Sequence, residues 1–324
     1  MSVTNSNSNK PAERVRALAA GLKDSVLEVV WRQWNALDAH AAVGKPARSI
    51  VDPEALILLS LSLIDEEKRL ADLLHDWIVR NSDLISVQRI RNLARALPEP
   101  VGQRLGWLAG VATNEAKDPR WRSIPRGIDH PGLAPRNMVR KGKARADRAR
   151  FLTAASLLVR LRSGLGVGAK TDTLAFLLGN GGESARVREI ALATGYTLAA
   201  VRRACEDMAT ARLIRSHASG TAAYSADQAA WGRFLGLGAT LPRWRNWAQR
   251  FEFVTAFRKF ASDLRREASP YALDVAIREL VAAHPQAFAD EESGLGNRYQ
   301  EASEKTALAW KAVENFSSRI RQEA

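Results

Sequence analysis

Between Thr171 and Asp227 the chain reads TDTLAFLLGNGGESARVREIALATGYTLAAVRRACEDMATARLIRSHASGTAAYSAD, and its apolar spacing changes twice within this stretch. Leu174, Leu177 and Leu178 lie three and four positions apart, the period of one helix face. Asn180-Gly181-Gly182 interrupts that face, and a short second helix then places Val187, Ile190 and Ala191 inward. Thr194-Gly195 ends it, because glycine takes the left-handed conformation that a helix stop requires without a Cβ penalty. Thr197 is an N-cap residue for a third helix with Val201, Cys205 and Met208 inward. The helical period then stops. Leu213-Ile214 opens a strand, Ser219-Gly220 makes a turn, and Thr221 to Tyr224 returns.

Helix, helix, glycine turn, capped helix and hairpin form the order of a winged helix-turn-helix, whose third helix enters the DNA major groove. VREIALATGYTLAAVRRACEDMATARLI, Val187 to Ile214, resembles the ArsR and MarR families of bacterial transcriptional regulators. The resemblance covers residues 171 to about 236. It implies DNA contacts from the exposed side chains on the first two turns of the third helix, Thr197, Ala199, Arg202 and Arg203. It also implies contacts from a wing carrying Arg215, His217, Ser219 and Thr221. Arginine suits either bidentate contact with guanine or contact with phosphate. Two features depart from the families: the third helix opens on TLAAV, poor in groups that hydrogen-bond to bases, and the wing is short.

Charge points the same way. The 324 residues carry 48 Lys or Arg against 35 Asp or Glu, a net +13, and the pI is near 10.3. From Pro119 to Lys170 thirteen Lys or Arg face only Asp129 and Asp147, so this segment holds +11 of the total. Arg140, Lys141 and Lys143 within it are candidate phosphate contacts.

The flanks read as helix. Val15, Leu18, Leu22, Val26, Val29 and Trp34 mark one helix over about 11 to 40. Asp52-Pro53-Glu54 reads as a helix start, with Asp52 as N-cap and Pro53 in the first position. The helix that follows is apolar nearly all round, which places it at a bundle centre. Leu70, Leu73, Leu74, Trp77 and Ile78 mark a third helix, and Ser86 caps a fourth. Pro119, Pro125, Pro131 and Pro135 mark a linker; Phe151, Leu152, Ala155, Leu158 and Leu161 then read as the buried side of a helix. A long helix is expected from Pro242 to about Glu267. Trp244, Trp247, Phe251 and Val254 form one of its stripes and Phe253, Phe257, Phe260 and Leu264 a second. Two apolar stripes exceed what one packed side needs, so one of them is expected to bury against a second protomer.

The expected architecture is therefore mainly α. A helical N-terminal domain (1–100) precedes a basic Pro/Arg-rich connector and helix start (101–150). A winged helix-turn-helix domain with a leading helix and a small β-wing (151–236) and a helical C-terminal region (237–324) follow. The expected function is that of a homodimeric, non-enzymatic regulator binding double-stranded DNA, its outer domains serving dimerisation and sensing. The alternative is an antitoxin-like or defence-system protein that binds a partner protein and represses its own operon.

Other chemistry is sparse. GLGVGAKT, Gly164 to Thr171, approaches the phosphate-binding loop G-x-x-x-x-G-K-[ST] but has Ala169 where the pattern needs glycine. It reads instead as a hinge into a helix capped by Thr171 or Asp172. Five scattered histidines lack ligand spacing, and His75-Asp76 reads as a surface hydrogen bond. No catalytic residue, metal or cofactor is expected, and Cys205 reads as core packing, though a buried thiol of this kind could also act as a redox switch. SVQRIRNLARAL, Ser86 to Leu97, suits a solvated basic face or a degenerate second helix-turn-helix. DPRWRSIPRG, Asp118 to Gly127, suits either insertion of Trp121 into nucleic acid or its docking on its own domain. Met1 to Lys10 lacks an apolar signal region, and the longest apolar run, Ala55 to Ile64, falls short of the roughly 20 residues that span a bilayer. A cytoplasmic protein without membrane contact is expected.

Overall fold

The computed structural model describes residues 10–39, 45–125, 151–217, 222–264, 269–288 and 302–324. It is mainly helical, with thirteen α-helices and one three-stranded sheet among these residues. No helix there is long and apolar enough to cross a membrane. The chain divides into two compact units, Trp31–Arg245 and a second built from Met1–Val30 with Asn246–Ala324. The division falls within the first helix, α1 (Lys10–Ala36).

The larger unit begins around α2 (Pro53–Leu63). Asp52 accepts a hydrogen bond from the Ala55 amide (3.1 Å) and Pro53 opens the first turn, as the sequence predicts. Nearly every residue of α2 is buried. It packs against α3 (Arg69–Asn81), α4 (Val87–Ala94) and α5 (Glu99–Asn114). The end of α1 closes the group. Trp34 donates to Ser60 Oγ (2.9 Å) and packs edge-on against Trp77, with ring centroids 5.4 Å apart. The helical bundle thus runs past the boundary expected at residue 100. Prolines 98 and 100 flank the start of α5, where a missing amide costs nothing, and do not mark a linker.

Past residue 150 the next helix is α6 (Leu157–Leu165), which starts later than its apolar pattern predicts. Leu152, expected on its buried side, is 72% exposed. After α6 come α7 (Ala169–Gly179), β1 (Ala185–Arg186), α8 (Val187–Thr194), α9 (Leu198–Thr210), β2 (Arg215–His217), β3 (Ala223–Ser225) and α10 (Gln228–Phe234). The sheet order is β1-β3-β2, all antiparallel, with Ala185 opposite Tyr224 and Ser216 opposite the same residue. One apolar core unites α6 through Leu241 and also takes in Ile50, which precedes α2. The extended segment at 49–51 is stitched in by its backbone: Ile50 donates to the Arg243 carbonyl and Val51 to that of Ala155, each at 2.9 Å. Bundle and module therefore belong to one unit. The strand β1 was not expected, and α7 starts before Thr171 and Asp172, which do not cap it.

In the smaller unit, α11 (Trp247–Asp263) starts five residues later than the sequence predicts, so Trp244 lies outside it and packs edge-on against Phe176 (5.7 Å). With α12 (Pro270–Ala283) and α13 (Ala302–Glu323), α11 buries Trp247, Phe251 and Val254 of one stripe and Phe253 and Phe257 of the other. Phe253 meets Phe288 at 4.7 Å and Phe316 at 4.8 Å. Phe253 and Phe257 of the second stripe are thus covered by the chain itself, while Phe260 and Leu264 at its end stay half-buried.

Candidate nucleic-acid interface

α9 is built as its sequence dictates. Gly195 takes the left-handed conformation (φ +75°) and turns the chain out of α8. Two residues on, Thr197 Oγ1 accepts from the Ala200 amide (3.2 Å) and starts α9. Val201, Ala204, Cys205 and Met208 are buried, and burial followed by the neighbouring Glu206 charge pushes the Cys205 thiol up to about 12. That thiol is core material.

The opposite side of α9 is exposed, and it carries Thr197, Ala199, Arg202 and Arg203 together at its leading end. Leu198, absent from the sequence-based set, is 51% exposed beside them, as is Leu192 on α8. Residues four apart share a helix face, so two rows run along α9. One is Leu198, Arg202 and Glu206; the other is Ala199, Arg203 and Asp207. Each passes from apolar to cationic to acidic away from the tip. Lys170 hydrogen-bonds Asp207 (2.7 Å) and holds its carboxyl below the usual range, so the acidic end is partly neutralised within the chain. The cations sit on the half of the helix where the peptide dipole is also positive, the end that attracts anions.

The hairpin contributes less than expected. Arg215 is exposed but pairs with Asp227 (2.9 Å), the N-cap of α10, and His217 Nε2 lies 2.8 Å from Ser225 Oγ. Ser219 and Thr221 lie outside the described residues, as do Arg140, Lys141 and Lys143. The structure brings Thr197, Ala199, Arg202 and Arg203 onto one surface.

Behind that surface lies a buried ionic centre that sequence reasoning missed. Arg89 on α4 grips Asp52 with both terminal nitrogens (2.6 Å each) and reaches Glu54 (2.8 Å). Its Nε donates to the carbonyl of Thr194 (2.8 Å), the last residue of α8. Arg162 on α6 bridges Glu54 (2.6 Å) and Asp172 of α7 (2.8 and 2.6 Å). The Tyr196 hydroxyl donates to Asp172 (3.2 Å). Both neighbours of Gly195 are thus held by one network. All five ionisable side chains of the two arginines and three carboxylates are nearly inaccessible. Burial disfavours the Asp52 anion, but the Arg89 guanidinium outweighs it and keeps that carboxyl below its ordinary value. Burial, then the Asp172 charge, pushes the Tyr196 phenol up.

Other candidate residues resolve plainly. Trp121 is fully buried, so it docks on its own domain, and Arg120 pairs with Asp118 and the Ser82 carbonyl. Arg89 is buried, so Ser86 to Leu97 is no continuous basic face. In the glycine hinge, Thr171 Oγ1 donates to the Gly166 carbonyl (2.7 Å) and Lys170 pairs with Asp207. His75 lies between Asp76 (3.4 Å) and Glu115 (3.0 Å). Among the described residues no group of three or more His, Cys, Asp or Glu is placed to hold a metal ion. Compared with family models, with curated proteins and with solved structures, the chain matches none.

Proposed function

We propose that residues 169–234 form a winged helix-turn-helix and that the protein is a transcriptional regulator binding duplex DNA with the leading turns of α9. The observation that carries the reading is one exposed helix end that presents Thr197, Ala199, Arg202 and Arg203 next to a glycine turn. The surrounding order supports it: helix, strand, helix, turn, helix and hairpin, with the sheet in the sequence β1-β3-β2. Regulators of this geometry act as two-fold dimers on paired half-sites. The homodimer is accordingly part of the proposal, and sedimentation of the purified chain tests it.

Binding to the DNA upstream of its own gene and to a scrambled duplex, across a salt series, tests the function. A regulator shows site selectivity and a log affinity that falls steeply with log salt. Replacing Arg202 and Arg203 together by Ala should reduce that slope by about two, one for each phosphate no longer neutralised. An unchanged slope and affinity defeat the assignment of α9.

A second reading has its own observation. Phe234 is 80% exposed beside Trp231 (ring centroids 5.7 Å apart), and exposed aromatic residues suit a protein partner. An antitoxin-like or defence-system role predicts that a partner protein co-purifies with the chain and is lost on Phe234→Ser.

A further inference from the structure

The tip of α9 has almost nothing with which to hydrogen-bond to a base. Thr197 Oγ1 accepts the Ala200 amide and keeps only its own O–H to donate, and the Tyr196 hydroxyl is turned inward onto Asp172. What projects instead is apolar: Leu198, 51% exposed, and Ala199. The floor of the major groove offers an apolar side chain one partner, the 5-methyl group of thymine. We propose that Leu198 and Ala199 read thymine methyl groups, so that the target duplex is selected by A·T pairs at the tip of α9. The inference rests on the DNA-binding reading and names the chemistry of its site.

The two rows along the helix give the geometry. Leu198 precedes Arg202 by four residues, and Ala199 precedes Arg203 by four. Four residues advance a helix axis by about 6 Å, close to two steps of roughly 3.4 Å along a DNA strand. A helix entering tip-first sets its apolar end on the base edges and its arginines nearer the groove wall, where guanine or phosphate is within reach. Its acidic third turn, Glu206 and Asp207, then stays outside. The order apolar, cationic, acidic matches depth in the groove, from methyl groups to phosphates to water. Any other entry presses the acids toward phosphate.

Replacing thymine by uracil removes the methyl group and leaves base pairing intact, so it isolates this interaction. Duplexes enriched by the protein from a randomised pool are resynthesised with uracil at each thymine in turn. Covering one methyl is worth about fourfold in affinity. Wild-type protein should lose about fourfold at each contacted thymine, within two base pairs of the position sensitive to Arg202→Ala. The Leu198→Ala variant changes an exposed side chain, leaves the fold intact and should lose the uracil penalty at that thymine. Salt-dependent DNA binding that is indifferent to uracil, or a penalty unchanged in Leu198→Ala, overturns the inference and leaves the DNA-binding reading standing. No duplex binding at any salt overturns both, and assigns Leu192 and Leu198 to a protein contact.

Discussion

Replacing Arg162 by Met tests whether the buried ionic centre holds the turn between α8 and α9. The methionine side chain keeps most of the volume, so the cavity term is small. What disappears is the only guanidinium that joins Glu54 to Asp172, at a site where all three side chains are at most 2% exposed. Asp172 retains the Tyr196 hydroxyl, Glu54 retains Arg89 and the Ser86 amide (2.7 Å), and the Leu84 carbonyl loses the donor that Arg162 supplied at 3.0 Å. Removing one partner of a buried ion pair costs about 3–5 kcal/mol. At an m-value of about 2–3 kcal/mol/M, the urea midpoint should fall by roughly 1–2 M. The pH dependence has a definite sign. Three carboxylates would then face one guanidinium, and burial raises the pKa of the least supported one above its unfolded value. The folded variant therefore binds a proton that the unfolded chain does not, and its deficit shrinks as pH falls from 7.5 to 5. Asp52 keeps Arg89 in both proteins, and the stability from its lowered pKa is lost only as pH falls below the ordinary carboxylate range, outside this window. The two curves should converge in acid. Urea titrations followed by circular dichroism at pH 7.5, 6 and 5 measure both effects. A deficit below about 1 kcal/mol at pH 7.5, or one that does not change with pH, refutes the reasoning. Adding Asp172→Asn to the variant should recover part of the loss, because the uncompensated charge goes with it.

Gly195→Ala should cost about 1–2 kcal/mol, read as a lowered melting temperature. The new Cβ meets Arg89 Nε only at 3.6 Å, so the cost is that of a left-handed backbone alone. Gly232→Ala should cost more, because its Cβ would lie 1.9 Å from the Gly238 carbonyl oxygen and that backbone must move; a melting temperature equal to wild type refutes this. Cys205 is buried and its thiol is pushed up to about 12, so it stays protonated at pH 8. A thiol reagent should therefore label the native protein no faster than it unfolds, and rapid stoichiometric labelling without denaturant would contradict that burial.

Local signals were legible in the sequence, and long-range ones were not. Asp52, Ser86 and Thr197 each cap the helix expected of them, and Gly195 turns where expected, because a cap is settled by three or four adjacent residues. The side of α9 was equally readable, since Val201, Cys205 and Met208 fix which face is buried and so which is exposed. β1 could not be seen. Two residues are too few for an alternating pattern, and Ala185 and Arg186 become a strand only because Tyr224 and Ala223 lie opposite. The aromatic stripes of α11 are ambiguous for a related reason: a helix covered on two sides, as α11 is from Trp247 to Phe257, looks in sequence like one awaiting a partner.

Arginine misled most, and the error is instructive about charge. Arg89 and Arg162 look like any basic residue on a helix face, yet Asp52 lies 37 positions from Arg89 and Glu54 lies 108 from Arg162. Even Asp172, ten positions from Arg162, sits on the next helix, and no local spacing announces these partners. The same holds for the count of +11 between Pro119 and Lys170. Of its five cations within the described residues, Arg122 is exposed, but Arg120 serves Asp118, Arg160 the Leu235 carbonyl, Arg162 the buried centre and Lys170 Asp207. A cation paired within the chain, buried like Arg162 or at the surface like Lys170, contributes to a salt slope only if DNA displaces its partner. The slope measured on duplex DNA should accordingly follow Arg202, Arg203, the exposed Arg122 and the residues at 126–150, and stay unchanged on Lys170→Gln. A slope that falls with Lys170→Gln would mean that DNA competes successfully with Asp207 for this side chain, and would extend the interface from α9 back to the start of α7.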